Sequence, residues 1–298
     1  MSIDALSVAT LAALRDCGLD ASYVADVVTR ALEEDLGGGI DVTSVAIVPF
    51  DEEGTADFVT RGAGVVAGLP VVRAVLDVAS DNAADCVQHV ADGEQVAAGT
   101  VLLTASAQTR ALLTGERTAL NMLGHLSGVA TLTRQWVDAA AGTNARIRDT
   151  RKTTPGLRLL EKYAVRCGGG ENHRMSLSDA ALVKDNHVLA ADSVVGAFAA
   201  VRATFPDVPV EVECDTLDQV AEAVEAGADL ILLDNMSTSE LVKAVELAHG
   251  RARLEASGGL SLTSAREVAE TGVDYLAVGA LTHSAPVLDI GVDLRRGT

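Results

Sequence analysis

Six short apolar runs separated by segments of helical spacing, all between residues 145 and 278, constrain the fold more than anything else in this chain. The runs are Ala145–Asp149, Ala181–Lys184, Val208–Cys214, Asp229–Leu233, Arg253–Ala256 and Tyr275–Val278. Helical patterns lie near 156–167, 192–204, 216–226, 238–248 and 262–271. Strands rich in Val, Ile and Leu that alternate with helices imply a parallel sheet covered by those helices. A closed eight-stranded barrel takes about 250 residues, and this stretch is much shorter. The pattern therefore predicts an incomplete α/β barrel.

The ends of those strands carry the polar groups. In order they are Thr150-Arg151-Lys152, Lys184-Asp185-Asn186, Glu213, Asp234-Asn235, Ser257-Gly258-Gly259 and Gly279. The C-terminal ends of parallel barrel strands are where active sites form, and glycine turns after the last strands hold phosphate through backbone N–H groups. The expectation is an enzyme. Arg151, Lys152, Arg174 and Lys184 form a set suited to anions, Arg by bidentate contact and Lys as a point charge. Glu213 and Asp234 on neighbouring strand ends suit Mg²⁺ beside a phosphorylated ligand, since that ion takes one or two carboxylates plus substrate phosphates. A sugar-phosphate pyrophosphate and a carboxylic acid would fill such a site.

Charge supports this placement. The chain has a formal net charge of −19, which argues against nucleic acid as a partner. Three of its four lysines, Lys152, Lys162 and Lys184, nevertheless fall within 146–184, together with six arginines. An acidic protein that gathers its cations in one segment is expected to bind a small, highly charged anion there. Plainer readings stay open. Arg158, Lys162 and Arg166 could form a solvated basic helix face. Glu213 and Asp234 could cap the helices that follow them, and Asp234-Asn235 could be only a turn. Lys184 could form a Schiff base, and His125, His173, His187 and His283 could be structural.

The first part of the chain reads differently. Helices are expected over 6–16, 21–35 and 70–80, β-type stretches around 42–48, 56–61, 86–90 and 100–106, and two helices near 108–122 and 125–140. Grouped strands suggest an α+β first domain. Cys17, Cys86, Cys167 and Cys214 form no C-x-x-C pair and read as core or near-core residues. No apolar run reaches the 18 or so residues of a membrane span, and Asp4 precedes the first apolar stretch, so a soluble cytoplasmic protein without a membrane partner is expected.

Several of these segments resemble the quinolinate phosphoribosyltransferase family. They are Arg148-Asp149-Thr150-Arg151-Lys152-Thr153-Thr154-Pro155-Gly156, Lys162-Tyr163-Ala164-Val165, Gly168-Gly169-Gly170 and Asn172-His173-Arg174. Lys184-Asp185-Asn186-His187, Glu211-Val212-Glu213, Leu233-Asp234-Asn235, Ala256-Ser257-Gly258-Gly259 and Val278-Gly279-Ala280-Leu281-Thr282 continue the match in order. So do Glu34-Asp35-Leu36, Asp41-Val42-Thr43-Ser44 and Glu116-Arg117-Thr118-Ala119-Leu120-Asn121. The resemblance implies an α/β chain with an N-terminal open α/β sandwich over 1–124, rejoined by the tail 285–298, and an incomplete parallel α/β barrel over 125–284. It implies that quinolinate and phosphoribosyl pyrophosphate give nicotinate mononucleotide, carbon dioxide and pyrophosphate, with Mg²⁺ as cofactor. Arg117, Arg151, Lys152, His173, Arg174 and Lys184 would surround the dicarboxylate, with Thr150 beside them. Lys152, Lys184, Glu213 and Asp234 would be catalytic, the two acids facing ribose and Mg²⁺–pyrophosphate. Ser257, Gly258, Gly259, Val278, Gly279 and Ala280 would hold the 5′-phosphate. A homodimer is implied, with Arg117 reaching the neighbouring site. A relative acting on nicotinate without decarboxylation remains the rival of the same fold, and a Schiff-base barrel lyase using Lys184 the rival of a different class.

Overall fold

The structure, a computed structural model, describes residues 3–296. The chain divides into two compact units, one comprising Met1–Leu132, Thr154–Gly169 and Ser284–Thr298, the other Thr133–Thr153 and Gly170–His283. The segment 154–169, which the sequence pattern groups with the barrel, thus belongs to the first unit.

In the first unit, α1 (Val8–Asp16), α2 (Ala21–Leu36) and the short α3 (Val42–Ile47) precede β1 (Glu53–Thr60), β2 (Gly64–Val65), α4 (Leu69–Ser80), β3 (Asp85–Gln88), β4 (Gln95–Val96) and β5 (Val101–Gln108). The long α5 (Thr109–Ala139) then runs across the boundary between the units. Four strands make an antiparallel sheet in the order β12-β1-β5-β3, where β12 is Ile290–Arg296 near the C-terminus. The Asp92 carboxylate accepts hydrogen bonds from the Gly68 and Leu69 N–H groups, at 2.7 and 3.2 Å, and so serves the start of α4. It also accepts from the Tyr163 hydroxyl at 2.6 Å, and burial pushes its pKa up.

Two expectations fail here. The stretch 42–48 reads as a strand because Val42, Thr43, Val45 and Ile47 are β-branched, yet it is the helix α3. Asp41 outweighs that preference: its Oδ1 accepts from the Thr43 and Ser44 N–H groups at 3.1 and 3.0 Å, a cap worth about 1 kcal/mol. The two helices expected near 108–122 and 125–140 are one. Gly124, between the two expected helices, and Gly128 lie under the returning tail. A β-carbon at Gly128 would meet the Pro286 carbonyl oxygen at 2.2 Å.

The second unit supplies β6 (Arg146–Arg148), β7 (Ala181–Val183), α7 (Asp185–Ala190), α8 (Val194–Thr204), β8 (Val210–Cys214), α9 (Leu217–Glu225), β9 (Leu230–Asp234), α10 (Thr238–Ala248), β10 (Arg253–Ser257), α11 (Leu262–Ala269), β11 (Tyr275–Ala277) and α12 (Ala280–His283). The helix α6 (Arg158–Cys167), between β6 and β7 in sequence, packs in the first unit. All six strands are parallel, in the order β6-β11-β10-β9-β8-β7. Read as a circle, this is strict sequence order with one missing pairing, between β6 and β7. The arrangement is an α/β barrel interrupted at a single seam.

Side chains alternate across such strands. Val183, Val212, Cys214, Ile231, Leu233, Leu254, Ala256 and Leu276 are buried on one face, and α8, α9, α10 and α11 contact strands of this sheet. Their neighbours Leu182, Glu211, Glu213, Leu232, Asp234, Glu255, Ser257 and Ala277 take the other face. The polar groups of this sheet are thus collected on one side by a period of two.

Four helices of this unit, α8 to α11, start on hydroxyl caps: Ser193, Thr216, Ser237 and Ser261 each accept a hydrogen bond from an N–H in the first turn. For α10 the cap is reciprocal, the Glu240 carboxylate accepting the Ser237 N–H at 2.8 Å. Ser237→Ala should therefore cost about 1 kcal/mol of unfolding free energy, read from urea denaturation. An unchanged midpoint would show that α10 does not need its cap. Burial raises the thiols of Cys86 to about 11 and of Cys167 and Cys214 to about 12. All four cysteines are unpaired.

Candidate active site

A cavity of about 570 Å³ lies in the second unit, lined by Thr150, Arg151, Lys152, His173, Arg174, Leu182, Lys184, Glu213, Leu232, Asp234, Asn235, Glu255, Ser257, Gly258, Gly259 and Ala277. It gathers almost every residue that the sequence marked at strand ends, and adds an apolar group, Leu182, Leu232 and Ala277, along the polar face of the sheet. Val278, Gly279 and Ala280 follow β11 and do not line it. Gly279 still shapes it: a β-carbon there would stand 2.9 Å from Cδ of Lys152. Arg117 belongs to the first unit and lines a different cavity of about 500 Å³, with Arg30, Glu34, Asp35 and Asn121 among its neighbours.

The cations sit close to one another. Burial first, and then the Arg151 cation, lower the pKa of Arg174, while Glu211 and Asp179 partly offset them. Two guanidiniums pressed together in a cleft make a site for an anion. One Arg174 N–H is committed to the Ala180 carbonyl at 2.8 Å. The Lys184 ammonium pairs with the Glu213 carboxylate, and the Glu213 side chain is only 11% exposed. Lys184 has a carboxylate partner and a side chain 45% exposed, which is unlike the desolvated amine that Schiff-base chemistry uses.

Neither acid caps a helix, because Thr216 and Ser237 do so. Glu213 and Asp234 are thus left facing the cavity, Asp234 accepting from the Asn235 amide at 2.6 Å. The turn after β10 fits closely under Asn235, which has φ 54°. Gly258, at φ 84°, admits no β-carbon, since one would lie 2.2 Å from Asn235 Oδ1.

Two of the lining residues, His173 and Glu255, belong to a buried charged cluster whose acids, Glu211 and Glu255, had no role assigned from the sequence. Glu211 is 3% exposed and Glu255 fully buried. The Arg148 guanidinium donates to Glu255 at 2.5 Å and stacks over Tyr275 at 4.3 Å. Burial would lower the pKa of Arg148, but Glu255 and Glu211 more than reverse this. Burial chiefly, and then Glu211, push the Glu255 carboxyl up to about 7 against the pull of Arg148 and His173. His173, Glu211 and Glu255 bring a ring nitrogen and carboxylate oxygens within 4.8 Å of one another; one oxygen of each acid serves a hydrogen bond, to His173 and to Arg148, and the other is buried without one. A signal was available: Glu211 and Glu213 are two apart on one strand and must share a face.

Among the remaining plainer readings, those of His125 and His187 hold and that of the α6 face fails. His125 pairs with Glu161 at 2.8 Å, and Nδ1 of His187 accepts the Lys184 backbone N–H at 2.9 Å, both structural roles. Lys162 is fully buried, so α6 does not present it on a solvated basic face.

The chain matches the family model described as "Quinolinate phosphoribosyl transferase, C-terminal domain" over residues 129–293 and its N-terminal counterpart over 41–127. It is 52% identical to the "Nicotinate-nucleotide pyrophosphorylase [carboxylating]" of Mycobacterium leprae, over 94% of this chain and all of that one. It is 41% identical to the probable enzyme of that name from Bacillus subtilis, over 88% of this chain and 90% of the other. Among solved structures, NadC from Streptococcus pyogenes superposes with a TM-score of 0.90 at 40% identity, covering 94% of this chain and 99% of its own. Human nicotinic acid phosphoribosyltransferase superposes with a TM-score of 0.60 at 14% identity over 90% of this chain and 74% of its own, and so shares the fold alone. These likenesses span both units and the strands that carry the cavity, and the chain belongs to the quinolinate phosphoribosyltransferase family.

Proposed function

We propose that this chain transfers a phosphoribosyl group from phosphoribosyl pyrophosphate to quinolinate with loss of carbon dioxide, forming nicotinate mononucleotide for de novo NAD synthesis. The observation that carries the reading is one cavity lined by Arg151, Lys152, Arg174 and Lys184, by two acids, Glu213 and Asp234, that cap no helix, and by a glycine turn. Quinolinate brings two carboxylates to that cationic wall. Leu182, Leu232 and Ala277 offer apolar surface to its ring, and the Ser257–Gly259 turn offers backbone N–H groups to the 5′-phosphate.

Glu213 and Asp234 suit Mg²⁺ in their donor chemistry: two carboxylates in one cavity, beside the space for a phosphorylated substrate. When bound, that ion would neutralise charge on the departing pyrophosphate. The chain's own groups do the rest. As the C1′–oxygen bond breaks, the electron pair leaves with pyrophosphate and C1′ becomes cationic. The Glu213 carboxylate, fixed by Lys184, lowers the energy of that cation. The pyridine nitrogen bonds to C1′ and becomes quaternary. The bond from C2 to its carboxylate then breaks, and its electron pair stays on C2, stabilised by the adjacent positive nitrogen, until a proton takes it. Carbon dioxide departs and a proton replaces it on the ring. Arg151 and Arg174 orient the acid, while Lys152 balances charge. The departing carboxylate must be held without being stabilised beyond the transition state.

Arg117, outside this cavity, would serve the site of a partner subunit in a two-fold homodimer, and the protein would work in the cytoplasm. Among the described residues no helix is long and apolar enough to cross a membrane.

Arg151→Lys should raise KM for quinolinate about ten-fold, because an ammonium cannot grip a carboxylate bidentately. Unchanged steady-state kinetics would remove Arg151 from the acid site. The reading itself is tested by offering the purified protein phosphoribosyl pyrophosphate, Mg²⁺ and either quinolinate or nicotinate. Turnover of quinolinate alone supports it, and turnover of nicotinate alone overturns the substrate.

A further inference from the structure

His173 lines the cavity, yet both of its ring nitrogens are engaged by the protein. Nδ1 accepts the backbone N–H of Arg174 at 2.7 Å. A nitrogen that accepts a hydrogen bond carries no proton, so the proton of a neutral ring resides on Nε2. Nε2 lies 2.6 Å from Oε2 of Glu211 and 3.6 Å from Oε1 of Glu255. The Nε2–H therefore donates to Glu211. The loop that carries the histidine is pinned independently. Asp149, fully buried, accepts the His173 N–H at 2.9 Å and the Asn172 amide at 2.5 Å. The ring thus joins a buried carboxylate on β8 to the main chain of Arg174, whose guanidinium lines the cavity.

We propose that Glu211 is a positioning residue for the acid substrate: by accepting the Nε2–H of His173 it fixes the tautomer whose Nδ1 holds the Arg174 main chain, and so sets the Arg174 guanidinium. The inference rests on the proposed quinolinate chemistry for its consequence, and on the hydrogen bonds alone for its cause. His173 is then a strut and not a proton carrier. With its proton on Nδ1, two N–H donors would face each other at 2.7 Å, and Arg174 would have to withdraw. Glu255 cannot replace Glu211 without movement, being more distant and already bonded to Arg148.

The tautomer is read directly from the long-range ¹⁵N–¹H spectrum of wild-type protein labelled at histidine, with the His173 signals identified by their loss in His173→Gln. The expected pattern is a protonated Nε2 and a bare Nδ1. A proton on Nδ1, or on both nitrogens, overturns the proposal. Kinetically, Glu211→Leu should raise KM for quinolinate about ten-fold or more and leave KM for phosphoribosyl pyrophosphate unchanged. Glu211→Gln keeps an oxygen acceptor and should recover most of the loss. Equal increases in both constants, or no recovery by Gln, would reduce Glu211 to a packing role and overturn the proposal. Should Glu211→Leu not fold, the wild-type spectrum and the Gln variant decide. A wild type that does not turn over quinolinate defeats the functional reading and this inference with it. A competent wild type with the other tautomer defeats this inference alone.

Discussion

Glu213→Gln should lower kcat about a hundred-fold to a thousand-fold, the range seen when a preorganised group facing a developing charge is removed. The substitution keeps size and hydrogen-bonding capacity but removes the anion that is proposed to face the ribosyl cation. Glu213 sits on β8, its side chain 11% exposed and paired with Lys184. Its field is therefore less diluted by water than that of a surface acid. KM for quinolinate should change little, because the ground-state acid is proposed to be held by Arg151 and Arg174. A variant whose loss appears in KM alone would make Glu213 a binding group and return the cation to Asp234.

Glu255→Ala should cost about 3 kcal/mol of folding stability or more. It would leave the Arg148 guanidinium, only 17% exposed, without its carboxylate. Removing one partner of a buried pair is costly because the other charge stays out of water. The space left in the cavity wall, which Glu255 lines, adds to the loss. Equilibrium unfolding in urea measures the effect, and a change under 1 kcal/mol or so would mean that Arg148 finds another partner. The same carboxyl carries a pH signature. It ionises near 4.5 unfolded and about 7 in the fold, so between those values the native state holds the extra proton. Its contribution is complete below the lower value and is lost as pH rises through the upper one. Glu255→Gln cannot ionise. Wild-type stability relative to that variant should therefore fall with rising pH inside this window and stay level outside it.

The barrel was legible because its strands obey two simple constraints. A parallel strand buried on both sides must be apolar, and the chain must cross over by a helix before the next, so the alternation from Ala145 to Val278 could be read directly. The site was legible for the same reason, as strand ends are where polar residues interrupt that pattern. Tertiary contacts decided what could not be read. Val42–Ile47 has the composition of a strand, but the Asp41 side chain starts a helix. The expected gap between two helices at 123–124 is continuous helix, where the smallness of Gly124 and Gly128 admits the backbone near Pro286 and Leu288. Glu211 and Glu255 lay in the sequence as ordinary charges within apolar strands. Their burial depends on Arg148 and His173, which come from other segments, and no local pattern records that meeting.

Labelled substrate shows whether this cationic cavity couples transfer to decarboxylation. Quinolinate carrying radioactive carbon in its 2-carboxylate would be incubated with the protein, phosphoribosyl pyrophosphate and Mg²⁺, counting released carbon dioxide against nicotinate mononucleotide. Equal amounts of the two from the first turnovers onward are predicted. A mononucleotide that retains the label, or carbon dioxide released without the nucleotide, would contradict the account.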